Sequence, residues 1–211
     1  MLEEAVSIPV GDGITLEGRH GRSQGRGCAL ITHPHPMYGG TMDNNVVEAA
    51  RDTLGALGLS TLRFNFRGVG RSTGRHGGGT DEVEDVLAAA AFLRERHGEG
   101  TPLHAVGYSF GAWVLLSALP QVPAVSAAAL IAPPVDFMPF TALRLGAQPT
   151  LVVAGERDDF CSVGTLQHWV DGQPAPPDEL RVRFLKYGDH FYFGRERELQ
   201  HELREFFEEF G

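Results

Sequence analysis

The chain has 211 residues, 42% hydrophobic residues and a formal net charge of −9. That length suits a single domain, 1–211, with one large core. The acidic balance excludes a nucleic-acid binder, which needs a basic face.

Residues 3–10 and 13–20 alternate in polarity around Gly11-Asp12-Gly13, which predicts a hairpin. The start, Met1-Leu2-Glu3-Glu4, lacks the positive flank and apolar run of a signal peptide, so a cytoplasmic location is expected. Residues 21–27 read as a polar turn, and Cys28–Thr32 as a buried strand. That strand runs into His33-Pro34-His35-Pro36-Met37-Tyr38-Gly39-Gly40. Thr41 is the expected cap of a helix carrying Val46, Val47, Ala50, Leu54 and Leu57, which stops at Gly58.

Leu59–Phe66 reads as the next strand and Arg67–Gly79 as a Gly/Arg loop. Arg63, Arg67, Arg71 and Arg75 recur every four residues, but the glycines between them forbid a helical stripe, so loop contacts are expected. Thr80 is the expected cap of a helix with acids early and arginines late, as the helix dipole favours. Its apolar face is Val83, Val86, Leu87, Ala90 and Leu93.

Leu103–Tyr108 predicts a buried strand and Phe110–Leu119 an apolar helix. Further strands are expected at Ser126–Ala132, Thr150–Ala154 and Leu180–Leu185. A helix is expected around Thr165–Val170, and a last one presents Leu199, Leu203, Phe206, Phe207 and Phe210. The most apolar stretch, near 124–134, is short and bounded by prolines, so it is a core strand and no membrane partner is expected. From residue 28 onward strands alternate with helices. This predicts an α/β fold: a mostly parallel sheet of about seven or eight strands with helices on both faces. Function in such sheets sits at the carboxyl ends of the strands.

Three Gly-x-Ser-x-Gly matches occur, at Ser23, Ser72 and Ser109. Only Ser109 has an apolar strand before it and an apolar helix after it. A strand turning directly into a helix strains the central residue and lifts its side chain above the sheet. Ser109 is therefore the expected nucleophile. A serine hydroxyl needs a base, and the base needs an orienting acid. Thr150–Gly155 leads to Asp158, which competes with Glu156 and Asp159 and is favoured because it lies three residues past Gly155. Phe184–Leu185 leads to His190, the one histidine that follows a late strand. Neighbouring Asp189 reads as loop structure.

The first oxyanion donor expected is the backbone N–H of Phe110. The second should come from the loop after Cys28–Thr32, where prolines have no N–H to give. That leaves His35, Met37 or Tyr38, of which His35 is chosen. Two other readings carry less. His33-x-His35 could chelate a metal, but no third ligand cluster accompanies it. Gly68–Gly74 suggests a dinucleotide loop, but its third glycine is one residue late and no helix opens there. Cys28 and Cys161 are isolated and form no disulfide framework or C-x-x-C motif.

Taken together, Gly107-Tyr108-Ser109-Phe110-Gly111, Gly155-x-x-Asp158, Asp189-His190-Phe191, the His33–Pro36 loop with Gly39-Gly40, and Phe64–Ser72 resemble the α/β-hydrolase superfamily over nearly the whole chain. The set looks most like small serine hydrolases distantly related to dienelactone hydrolase, although that enzyme carries Cys where this chain has Ser109. The resemblance implies an α/β-hydrolase fold and a serine hydrolase cleaving small carboxylic esters through a Ser109–His190–Asp158 triad, with no cofactor and no metal. Thioesterase, lactonase and peptidase chemistry share that machinery, and an inactive homologue that binds a ligand or partner is the alternative from another class. Many members insert a lid in the connection that corresponds here to residues 133–148, too short a segment to fold alone. An open, lidless site is expected. Tyr38, Met138, Phe140, Leu143, Phe160, Phe191 and Tyr192 are candidates for its walls, with ordinary core packing as the equal alternative. A homodimer stays open.

Overall fold

The computed structural model describes residues 2–25 and 27–210. Met1, Gly211 and Arg26, the last within the expected 21–27 turn, lie outside the described residues. Eight strands form one sheet: β1 (Glu3–Gly11), β2 (Ile14–Gly21), β3 (Cys28–Thr32), β4 (Ser60–Phe64), β5 (Leu103–Tyr108), β6 (Val125–Ile131), β7 (Thr150–Gly155) and β8 (Leu180–Leu185). Their order is β1-β2-β4-β3-β5-β6-β7-β8. The β1–β2 hairpin joins antiparallel to β4, and from β4 to β8 every pairing is parallel.

Among the described residues, five α-helices cover the sheet: α1 (Asn45–Ala56), α2 (Glu82–His97), α3 (Phe110–Ala118), α4 (Val163–Asp171) and α5 (Glu196–Phe207). Two apolar clusters show how they divide. One packs α2, α3 and α4 against Leu30, Leu62, Ala105, Ala128 and Val152. The other packs α1 and α5 against Ala29, Ile31, Val106, Ala129 and Val153. Successive residues of one strand thus feed opposite clusters, which is why β3, β5 and β7 are buried along their whole length and mostly apolar.

Two expected helix caps are corrected. Asn44, not Thr41, caps α1: its side chain accepts from the Val46 N–H at 2.9 Å. Thr41 sits a turn earlier and its hydroxyl accepts from the Asp43 N–H. Asp81, not Thr80, occupies the N-cap of α2, without a side-chain cap bond. The first residue of α2 binds the preceding loop. The buried Glu82 carboxylate reaches back to the N–H groups of Gly77 and Gly79 and to His76. The strand expected to reach Phe66 ends at Phe64, because the Asn65 side chain turns aside to meet Met42 and Glu17. Of the recurring arginines expected to make loop contacts, Arg63 lies instead on β4 and binds Glu3 of β1 as well as Asp43, and Arg67, in the loop, binds Asp85 and Glu84 of α2. Between β6 and β7 the chain forms no helix or strand, so no lid stands over the carboxyl edge of the sheet.

Candidate active site

Ser109 occupies the joint between β5 and α3 with φ 54 and ψ −120, a left-handed conformation that side chains rarely adopt. Such a residue costs on the order of 1–3 kcal/mol and persists only when its surroundings enforce it. They do so here through two close approaches. A Cβ on Gly107 would lie 2.6 Å from the Ala112 Cα, and one on Gly111 would lie 2.6 Å from the His33 carbonyl oxygen. Only glycine fits either position, so strand, helix and the loop after β3 close tightly around Ser109. The Thr32 hydroxyl adds a bond to the Gly111 carbonyl at 3.0 Å.

The loops after β7 and β8 meet at the same edge. A Cβ on Gly155 would lie 2.2 Å from the Gly188 carbonyl oxygen, so the two turns are in backbone contact. The Arg157 N–H donates to that carbonyl at 2.8 Å. Asp158 is 4% exposed, and its Oδ1 accepts from the N–H groups of Phe160 and Cys161 at 2.8 and 2.9 Å. The His190 Nδ1 lies 2.9 Å from both carboxylate oxygens. Its Nε2 lies 2.9 Å from the Ser109 Oγ. An ionised carboxylate only accepts, so Nδ1 carries the proton and Nε2 is free to accept from the serine hydroxyl. Asp189 caps its own turn, accepting from the N–H groups of Phe191 and Tyr192, as expected of loop structure.

In the loop after β3, the Met37 N–H donates to the His35 Nδ1, and the Tyr38 and Gly40 N–H groups donate to the His35 carbonyl. Both alternatives to His35 as oxyanion donor are thereby engaged or turned inward. The His35 N–H itself has no partner among the described residues. Neither has the Phe110 N–H, at the first turn of α3, where such donors are left free by helix geometry. The ring of His35 packs on that of Phe110, with centroids 4.7 Å apart. Burial and the neighbouring His76 hold the His35 imidazole below the ordinary histidine range.

A bowl of about 650 Å³ opens over Ser109 and His190. Tyr38, Met138, Phe160 and Phe191 line it, as the sequence suggested. Phe140 does not: it is 3% exposed, packs edge-on to Trp169 and accepts that indole's N–H through its carbonyl. Leu143 packs against the same core, and Tyr192 is buried with its hydroxyl on the Val153 carbonyl. The large exposed walls that sequence reasoning missed include Phe137 and Phe193, which are 57% and 72% exposed. The signal was a large aromatic standing in a loop after a strand, outside any periodic pattern.

The Hydrolase_4 family model, described as "Serine aminopeptidase, S33", matches residues 37–148, just over half the chain. An α-β serine hydrolase homologue from Coxiella burnetii is 34% identical, with 97% of each chain covered and a TM-score of 0.88. The chain belongs to the α/β serine hydrolases. A lidless serine hydrolase from Xanthomonas campestris is 28% identical to this hydrolase, with 96% of this chain and 92% of that one covered and a TM-score of 0.85. An uncharacterized protein of Rickettsia prowazekii is 31% identical over 184 residues, spanning 84% of the hydrolase and 77% of the relative. A Pyrococcus furiosus esterase shares the fold at 17% identity and a TM-score of 0.83, covering 99% and 93% of the two chains.

Proposed function

We propose that this hydrolase cleaves small carboxylic esters with uncharged, apolar acyl groups through an acyl-enzyme. The observation that carries the reading is the run of 2.9 Å contacts from Ser109 Oγ through His190 to Asp158, opening into an apolar bowl. Ser109 attacks the ester carbonyl and His190 Nε2 takes its proton. Asp158 keeps the proton on Nδ1 and stabilises the imidazolium that forms. The tetrahedral oxyanion receives hydrogen bonds from the backbone N–H groups of Phe110 and His35, each worth about 3 kcal/mol in the transition state. His190 then gives its proton to the leaving alkoxide. In the second half it activates water against the acyl-serine.

The lining supports the substrate class. It contains no Asp, Glu, Lys or Arg among the described residues, so nothing there compensates a charged acyl group. An aminopeptidase must also bind the substrate's ammonium, and the bowl offers no carboxylate for it. Tyr38, Phe137, Met138, Phe160, Phe191 and Phe193 form the walls that would hold the acyl or alcohol portion. Cys28 and Cys161 are buried and unbridged, and burial pushes the Cys28 thiol up to about 11. Inert, reduced thiols fit a reducing compartment, and on that ground we assign the enzyme to the cytoplasm.

Labelling with a fluorophosphonate, beside turnover of p-nitrophenyl esters of rising chain length, tests the reading. The expected result is an adduct on Ser109 that is lost in Ser109→Ala, with neutral acyl esters preferred over succinyl or aminoacyl ones. A folded protein that takes no adduct and turns over no ester is instead a ligand-binding homologue.

A further inference from the structure

We infer that His33 is a positioning residue for the oxyanion hole, its buried imidazole holding the Pro34–His35 peptide so that the His35 N–H faces the bowl. This rests on the triad reading above, because it assigns work to a donor that reading uses. His33 is fully buried at the end of β3 and does not touch the bowl.

The ring's tautomer follows from its partners. The Nε2 lies 3.0 Å from the backbone N of Phe66, which can only donate, so Nε2 accepts. The ring proton is therefore on Nδ1. That nitrogen lies 2.6 Å from the Pro34 carbonyl oxygen and donates to it. Both nitrogens are occupied by backbone, which leaves no lone pair for the metal that the His33-x-His35 spacing suggested. Burial pushes the imidazole down to about 4, so one neutral tautomer persists across the working range of an esterase.

A trans peptide points its C=O and N–H in opposite directions. No peptide among the described residues is cis. Fixing the Pro34 carbonyl therefore fixes the His35 N–H on the opposite side, toward the bowl that Pro34 and His35 both line. The carbonyl is also confined by backbone: a Cβ on Gly40 would lie 2.0 Å from it. The ring itself is held in place edge-on against Phe66, centroids 4.7 Å apart, and Phe66 in turn packs on Phe110. His33 thus ties the loop after β3 to the loop after β4 and sets the aim of the His35 N–H, which has no partner among the described residues.

Two substitutions separate aiming from packing. In His33→Asn the amide nitrogen takes the place of Nδ1 and keeps the bond to Pro34. In His33→Gln the amide oxygen takes the place of Nε2 and keeps only the bond from Phe66. With a p-nitrophenyl ester, His33→Gln should lose about 100-fold in kcat with KM changed less than threefold, the loss expected for a misaimed oxyanion donor. His33→Asn should stay within about tenfold of wild type, whichever variant has the lower Tm. The preference for an ester over its thionoester reads the oxyanion hole directly. It should shrink in His33→Gln and hold in His33→Asn. If His33→Gln does not fold, Gly40→Ala pushes the same carbonyl from the other side and should shrink the preference likewise. Equal kcat losses in Asn and Gln, or a thionoester ratio unchanged in every variant, would overturn the assignment. Wild-type protein without adduct or turnover would instead sink the triad reading itself.

Discussion

The Tyr108 hydroxyl donates to the carbonyl of His190 at 2.9 Å, so the residue just before Ser109 holds the loop that carries His190. Strand β5 thereby fixes both partners of the 2.9 Å Ser109–His190 contact. Burial pushes the phenol well above its usual range, so it stays protonated and donates throughout. Tyr108→Phe removes that donor and leaves the ring. It should cost about 1 kcal/mol of stability and lower kcat by about three- to tenfold, since His190 keeps its bond to Asp158. Urea unfolding and steady-state kinetics of the same preparation check both figures.

Asp158→Asn should separate orientation from architecture. The retained Oδ1 can still accept from Phe160 and Cys161, so the turn survives. The new amide presents N–H to the imidazole and favours the wrong tautomer. The expected loss is about 10⁴ in kcat, with near-wild-type circular dichroism and thermal midpoint. A loss below tenfold would mean that a different acid orients His190.

His104 offers a pH prediction outside the site. It is fully buried on β5 beside Phe207, and neither ring nitrogen has a partner among the described residues. Burial pushes it down to about 4. Between that value and an unfolded value near 6.5, the unfolded chain binds the extra proton. The stability linked to His104 is complete above about 6.5 and is lost as the pH falls toward 4. At pH 5 that loss is about 2 kcal/mol. His33 acts in the same direction. His104→Leu should therefore raise the unfolding midpoint more at pH 5 than at pH 8. An equal shift at both would refute the linkage.

Phe137 and Phe193 stand at the mouth of the bowl, and Phe193 stacks on Phe191 at 6.2 Å. Truncating either to Ala should leave acetyl-ester turnover unchanged and weaken kcat/KM for longer acyl chains by about three- to tenfold, the scale of a few lost methylene contacts. A chain-length panel on each variant reads this directly.

The sequence made Ser109 legible because the motif, the strand before it and the helix after it all agreed. His190 was legible because it alone followed a late strand. The walls were harder. Phe137 and Phe140 lie three residues apart in a stretch with no helix or strand, so no periodicity said which faces the bowl and which faces Trp169. Glu82 read as an ordinary acid at a helix start, yet it gathers the His76 ring and the N–H groups of Gly77 and Gly79, a set of contacts that depends on how the loop folds back. Thr41 lost its expected role to Asn44 because the turn after Gly40 delays the start of α1. His33 was visible only as half of a metal-like spacing, since its partners are backbone groups and leave no mark on side-chain identity.

The backbone tension at Ser109 has a cost that can be recovered. Glycine tolerates φ 54 freely, so Ser109→Gly should relax the elbow while giving the unfolded chain slightly more freedom. The balance favours a protein sturdier than the natural one by about 1 kcal/mol, and wholly inert. Under the proposed mechanism, selection for resilience and selection for reactivity pull against each other at this position, and the side chain kept is the one that strains the fold.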